Sequence, residues 1–177
     1  MEIVFELLKK DEINEFSQVV IDIVNEISKE DYDENGYIFV TNYAGENEIN
    51  ERINISTFFV AKFNDKIIGT LEIMSPGTMS YDNIIDNNVF SYINIAEKYI
   101  VQLFFVANKF RHNGIGKKLL EFAKEYLRNN FPENKLDIFV HSSTYAVKIY
   151  ESFSFKRVAE VQNINGIRYV PMVYIEK

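Results

Sequence analysis

The sequence has no cysteine and no tryptophan among its 177 residues, and only two histidines. Without cysteine, disulfide cross-links, a thiolate nucleophile and thiolate-based zinc sites are all excluded. Two isolated histidines make no metal-ligand cluster, so no metal is expected. Long hydrophobic runs are missing too. Stretches such as Ile100 to Ala107 fall far short of the roughly 20 apolar residues that a membrane-spanning helix needs. Met1 to Glu6 carries no basic region ahead of an apolar one, so no signal peptide is expected and the chain reads as soluble and cytoplasmic. Positive charge is scarce: 19 Lys and Arg against 26 Asp and Glu leave a net charge of -7. Non-specific nucleic-acid binding works by neutralising phosphates, and this balance argues against it.

What the chain has in quantity is material for a core. Hydrophobic residues make up 47%, with 15 Phe and 11 Tyr, and large aromatic side chains bury much area each. The length fits one domain over 1–177. Glu2 to Leu8 reads as a strand, followed by a helix from Asp11 to about Ser28 with Ile13, Phe16, Val20, Ile23, Val24 and Ile27 at helical spacing. The acidic stretch 29–54 reads as a loop with one short helix at most. Ser56 to Phe63 and Ile67 to Met74 form a hairpin about Asn64-Asp65-Lys66. A second irregular stretch, 75–97, includes an expected helix near 88–95.

Tyr99 to Ala107 is a nearly continuous apolar strand, which suggests burial on both faces. Asn113 to Asn129 is the clearest helix, with Ile115, Leu119, Phe122, Ala123, Tyr126 and Leu127 on one stripe. A strand at Leu136 to Val140, a helix at Ser143 to Phe153 and strands at Phe155 to Val161 and Arg168 to Ile175 complete the order. Alternating strands and helices with antiparallel ends predict a mixed sheet with helices on its faces.

The chemistry concentrates where the buried strand meets the clearest helix, at Phe104-Phe105-Val106-Ala107-Asn108-Lys109-Phe110-Arg111-His112-Asn113-Gly114-Ile115-Gly116-Lys117. The first N–H groups of a helix lack internal partners and sit at the positive end of its dipole, which favours an anion there. Gly114 and Gly116 let a phosphate approach the backbone, and Arg111, Lys117 and Lys118 add positive charge. This predicts a pyrophosphate cradle. A dinucleotide fingerprint would need a third glycine where Leu119 stands, and a Walker loop would need Ser or Thr where Lys118 stands.

Arg111-x-x-Gly114-x-Gly116 instead resembles the acetyl-CoA pyrophosphate signature of the GNAT superfamily of N-acetyltransferases. Downstream, Ala146, Tyr150, Glu151 and Phe155 match that family's N-x-x-A-x-x-x-Y-E-x-x-G-F pattern, while Ser143 replaces the usual Asn and Ser154 the usual Gly. The resemblance implies a GNAT-like, mostly antiparallel mixed α/β sheet of about seven strands flanked by about four helices, with a splay between the fourth and fifth strands. It implies acyl transfer, most simply of acetyl, from acetyl-CoA as co-substrate to a primary amine by direct attack. It also implies particular site residues. The backbone N–H groups of Phe104 and Val106 would polarise the thioester carbonyl, and Tyr150 would act as general acid to the departing thiolate. Phe104, Phe105, Val106, Arg111, His112, Asn113, Gly114, Ile115, Gly116, Lys117, Ser143 and Tyr150 would bind the coenzyme. No fixed general base follows: Glu72, Glu97 and His141 lie near the right strands but read more simply as structural.

The partners implied are acetyl-CoA and an amine acceptor, with no nucleic acid and no membrane; dimers are common in the family. The acidic run from Glu30 to Glu51 lies where the family usually folds a helix pair over the acceptor pocket, and it could draw a cationic amine such as a polyamine or a lysine side chain. The Ser143 and Ser154 departures keep a second reading open, that of a degenerate GNAT domain that binds acyl-CoA as a regulator.

Overall fold

The computed structural model describes residues 2–27, 31–78 and 95–176. Its centre is an eight-stranded sheet: β1 (Val4–Leu7), β2 (Ser56–Phe63), β3 (Lys66–Met74), β4 (Tyr99–Val106), β5 (Ile138–Ser142), β6 (Lys156–Arg157), β7 (Gln162–Ile164) and β8 (Ile167–Tyr174). The spatial order is β1-β2-β3-β4-β5-β8-β6, with β7 paired to β8. Every pairing is antiparallel except β4 with β5.

Among the described residues, five α-helices cover the two faces. On one side lie α1 (Ile13–Ile27), α2 (Glu34–Tyr43) and α3 (Glu46–Arg52), and on the other α4 (Ile115–Asn130) and α5 (Val147–Ser152). Strand alternation supplies both cores at once. Phe58 and Val60 of β2 join Phe16, Val20, Val24 and Ile49 beneath α1 to α3, while Phe59 and Ala61 join Leu119, Ala123 and Leu127 beneath α4. No helix among the described residues is long and apolar enough to cross a membrane.

The expected architecture holds, with two local differences. The acidic stretch folds into two helices, α2 and α3, where its residues alone read as a loop with one short helix at most. Its acidic residues serve as structural fasteners: Asp33 Oδ1 accepts from the Gly36 N–H at 3.0 Å to cap α2, and Asp31, only 2% exposed, accepts from both the N–H and hydroxyl of Thr144 (2.8 and 2.6 Å). The strand expected at Phe155 to Val161 shortens to β6, and Gln162–Ile164 folds back on β8 around Asn165-Gly166. The helix expected near 88–95 lies outside the described residues but for its last one.

Ser154, where the family pattern has glycine, adopts φ 69. The Phe155 N–H donates to the Tyr150 carbonyl and the Ser154 N–H to the Glu151 carbonyl, both at 3.0 Å. Phe155 packs edge-on against Tyr150 at 5.2 Å. These are the bonds and the apolar contact of a Schellman C-cap with a serine in the left-handed position. The turn therefore keeps its shape despite the Cβ. Ser154→Gly is expected to stabilise the protein by up to about 1 kcal/mol by removing that steric cost, read as a higher urea midpoint at unchanged m.

Candidate active site

Strand β4 carries an irregularity that decides where its backbone points. Thr70 pairs with Phe105 and Glu72 with Gln102, so one residue of β3 faces two of β4, and Leu103 sits at φ 42. A bulge of this kind shifts side-chain alternation by one. Tyr99 and Val101 pack on the α4 side before it, and Phe104 and Val106 do so after it. The buried Thr70 hydroxyl donates to the Leu103 carbonyl at 2.9 Å, which holds the bulge from the neighbouring strand.

Backbone direction follows from the same register. Successive residues of a strand turn their N–H and C=O groups to opposite edges. The Ala107 N–H donates to the Ile68 carbonyl at 2.9 Å, so Ala107 and Phe105 address β3, and Val106 and Phe104 address the β5 side. On that side the β4–β5 ladder runs only from Tyr99↔Ile138 to Val101↔Val140. Beyond it the two strands no longer pair, and the N–H groups of Phe104 and Val106 turn into the opening between them. The Val106 carbonyl on the same edge accepts from Arg111 Nε at 2.8 Å, which fastens the loop to the strand end.

The loop then curls through two left-handed residues, His112 (φ 64) and Gly114 (φ 73), into α4. Gly114 is the N-cap and brings no side chain, and the first intrahelical bond runs from the Lys118 N–H to the Gly114 carbonyl at 3.1 Å. The N–H groups of Ile115, Gly116 and Lys117 therefore remain donors at the positive end of a 16-residue helix. A Cβ at Gly116 would meet the Phe104 ring and a Val106 methyl at 3.6 Å, an ordinary contact, so packing alone does not demand glycine here.

These pieces line one cleft of about 790 Å³, within the usual size for a small-molecule site. Phe104, Phe105 and Val106 form its floor. Arg111, His112, Gly114, Ile115, Gly116 and Lys117 form one end, and Ser143 and Tyr150 one wall. Asn113 does not line it. Its side-chain amide donates to the carbonyls of Phe110 and Arg111 (3.2 and 3.0 Å) and so braces the turn. Tyr150 is 6% exposed, its ring edge-on to Phe104 at 6.1 Å. Burial pushes its phenol well above the usual range, as it does that of Tyr32, so both stay protonated at neutral pH.

Neither carboxylate near the strands, Glu72 or Glu97, lines the cleft. Glu72 is fully buried and bound by the Arg52 guanidinium (Nε to Oε1 2.9 Å, Nη2 to Oε2 3.1 Å) and the Ser56 hydroxyl (2.8 Å). Glu97 is exposed. His141 does line the cleft, packed edge-on to Tyr169 at 4.3 Å, but burial holds its imidazole down at about 4, too weak to strip an alkylammonium.

The cleft also has a second end, formed by Tyr32, Phe39 and Tyr43 with Ile164 and Ile167 of the β7–β8 hairpin. The family resemblance implied an acceptor pocket beneath the acidic stretch, but the residues alone did not single out its aromatic lining. No local pattern says that these aromatic residues face a β-turn 120 or more residues away.

The comparisons bear on this geometry. The family model described as "Acetyltransferase (GNAT) domain" matches residues 80–176, more than half of the chain. A search of curated proteins gave no match. Among solved structures, the PaiA N-acetyltransferase of Thermoplasma acidophilum, in complex with coenzyme A, is 14% identical, with a TM-score of 0.73 over 99% of this chain and 100% of that one. A GNAT-family acetyltransferase of Staphylococcus aureus is 16% identical, with a TM-score of 0.69 over 99% and 100%. A protein of Pyrococcus horikoshii is 27% identical, with a TM-score of 0.62 over 99% of each chain. The structural likeness is one of fold, and it spans nearly the full length of each partner. With the family match covering β4, the glycine loop and everything downstream, the chain belongs to the GNAT acetyltransferase family.

Proposed function

We propose that this protein transfers an acyl group, most simply acetyl, from acyl-CoA to a primary amine by direct attack. The observation that carries the reading is the register of β4. One strand turns two N–H groups into an unpaired opening, and its end leads straight into an anion-binding helix start. In this reading the N–H groups at Ile115 to Lys117, with Arg111 and Lys117, hold the pyrophosphate. The pantetheine arm runs between β4 and β5 past Ser143. The Phe104 and Val106 N–H groups donate to the thioester oxygen as negative charge builds on it.

The amine nitrogen then bonds to the carbonyl carbon, the carbon–sulfur bond breaks, and the Tyr150 hydroxyl gives its proton to the departing sulfur, so that coenzyme A leaves as the thiol, while the proton lost by the amine nitrogen passes through solvent and restores the Tyr150 hydroxyl. The protein has no cysteine to carry an acyl intermediate, which agrees with a ternary complex. Of the two departures that favoured a degenerate acyl-CoA sensor, Ser154 leaves its turn intact.

The test is release of free thiol from acetyl-CoA in the presence of an amine panel. Amine-dependent release at a rate well above buffer supports a transferase. No release by a protein whose melting temperature acetyl-CoA raises would favour the sensor.

A further inference from the structure

We infer that the acceptor is a monoamine carried on an apolar, aromatic-sized body rather than a polyamine or other multiply charged cation. The inference rests on the transferase reading above and concerns the far end of the same cleft.

That end is reached along β4. Gln102 pairs with Glu72 and Val106 with Gly69, so four residues at about 3.3 Å each separate the two ends of the floor. Past Phe104, away from the glycine loop, the wall consists of Tyr32, Phe39, Val40, Tyr43, Ile164 and Ile167. Among the described residues no Asp or Glu lines the cleft, and its formal charges are Arg111 and Lys117, both at the loop end.

Among the described residues the acidic run puts no carboxylate on its lining. Asp31 is bound by Thr144, Asp33 caps α2, and Glu46 accepts from Asn14 at 3.1 Å. Glu34, Glu48 and Glu51 are exposed outside the cleft.

Aromatic walls can hold cations through their ring faces, but this one is poorly arranged to do so. The Arg52 guanidinium, ion-paired with Glu72, already lies over the Tyr43 ring, 3.6 Å from its centroid, and occupies the face that a second cation would use. Phe39 stacks nearly parallel to Tyr43 (6.2 Å, 13°) while remaining 45% exposed, which leaves an apolar surface facing the cleft.

A polyamine would bring its second and third ammonium groups against a wall that, among the described residues, offers no carboxylate in contact, and desolvating unpaired charge is costly. A single amine on an apolar body buries that body against Phe39, Ile164 and Ile167. Desolvation also lowers the pKa of its own ammonium, which favours the attacking neutral form where Glu72 and His141 offer no base.

The experiment compares kcat/KM for phenethylamine and tryptamine with that for spermidine and cadaverine, all with acetyl-CoA and thiol detection. At least a tenfold preference for the aromatic amines is expected. Phe39→Asp places a carboxylate on the wall and should cut that preference at least tenfold, with spermidine gaining. If Phe39→Asp shows no cooperative melting, Phe39→Ala replaces it and should raise KM for phenethylamine at least threefold with little change in kcat. Preference for spermidine or cadaverine, or a preference that a folded Phe39 variant does not move, overturns the inference and leaves the transferase reading standing. Silence with all four amines overturns the transferase reading and this inference with it.

Discussion

Replacing Tyr150 with phenylalanine is expected to lower kcat by about 100-fold or more while changing acetyl-CoA affinity little, the loss typical of removing a general acid. The substitution is clean because the ring, not the hydroxyl, does the packing. Tyr150 lies edge-on to Phe104, Phe153 and Phe155 at 6.1, 6.4 and 5.2 Å, and phenylalanine preserves all three contacts. Among the described residues the Tyr150 hydroxyl has no hydrogen-bond partner. Its removal should therefore cost little stability, since no buried group loses a donor. Because burial raises the phenol pKa, the wild-type hydroxyl stays protonated across neutral and moderately alkaline pH, and its own ionisation should not limit the rate there. Single-turnover measurement separates the effect from product release. Undiminished turnover in the variant would remove the acid role.

Gly116→Asp should weaken acetyl-CoA binding at least 100-fold without lowering the melting temperature of the ligand-free protein. The two halves of this expectation pull in opposite directions, which makes the test discriminating. Within the fold the change is favourable: glycine is a poor helix residue, an acidic side chain in the first turn complements the helix dipole, and a Cβ here meets only ordinary contacts at 3.6 Å. Toward a diphosphate the same carboxylate is a like charge placed where the helix donors converge. At Gly114 the result would be harder to read, because φ 73 strains any side chain. Titration of the variant by calorimetry and a thermal melt together give the answer. If the variant bound acetyl-CoA as tightly as the parent, the pyrophosphate would have to lie elsewhere.

How much of this was legible in the sequence varies with how local its cause is. The glycine loop was legible as a helix start, because such starts are set by a few adjacent residues: Gly114 is the N-cap of α4, and Arg111 Nε donates to the Val106 carbonyl. The two faces of the sheet were, because Phe58 to Ala61 alternate between apolar cores.

The β4 bulge was not. Tyr99 to Val106 is apolar on both faces, so a one-residue slip at Leu103 leaves no mark on the pattern, although it decides which N–H groups face the opening. Helices α2 and α3 were legible through the family resemblance but not from the residues themselves, because tertiary contact holds α2. A Cβ at Gly36 would come within 2.4 Å of the Gly166 carbonyl, and the Asp33 N–H donates to that same carbonyl at 2.9 Å. Charge in the same region has a structural part that the sequence does not show. Asp31 and Asp33 look like a lure for cations in the sequence, whereas in the fold they tie Tyr32 and α2 to the start of the Thr144–Ala146 turn and to the β7–β8 hairpin. The aromatic end of the cleft is what those ties position.

The most direct check on the whole account is a crystal structure of the protein with acetyl-CoA. The account predicts the diphosphate within hydrogen-bonding distance of the main-chain amides between His112 and Lys117, and the thioester oxygen facing the N–H groups of Phe104 and Val106. A coenzyme seated elsewhere, with that turn empty or closed by its own side chains, would contradict it.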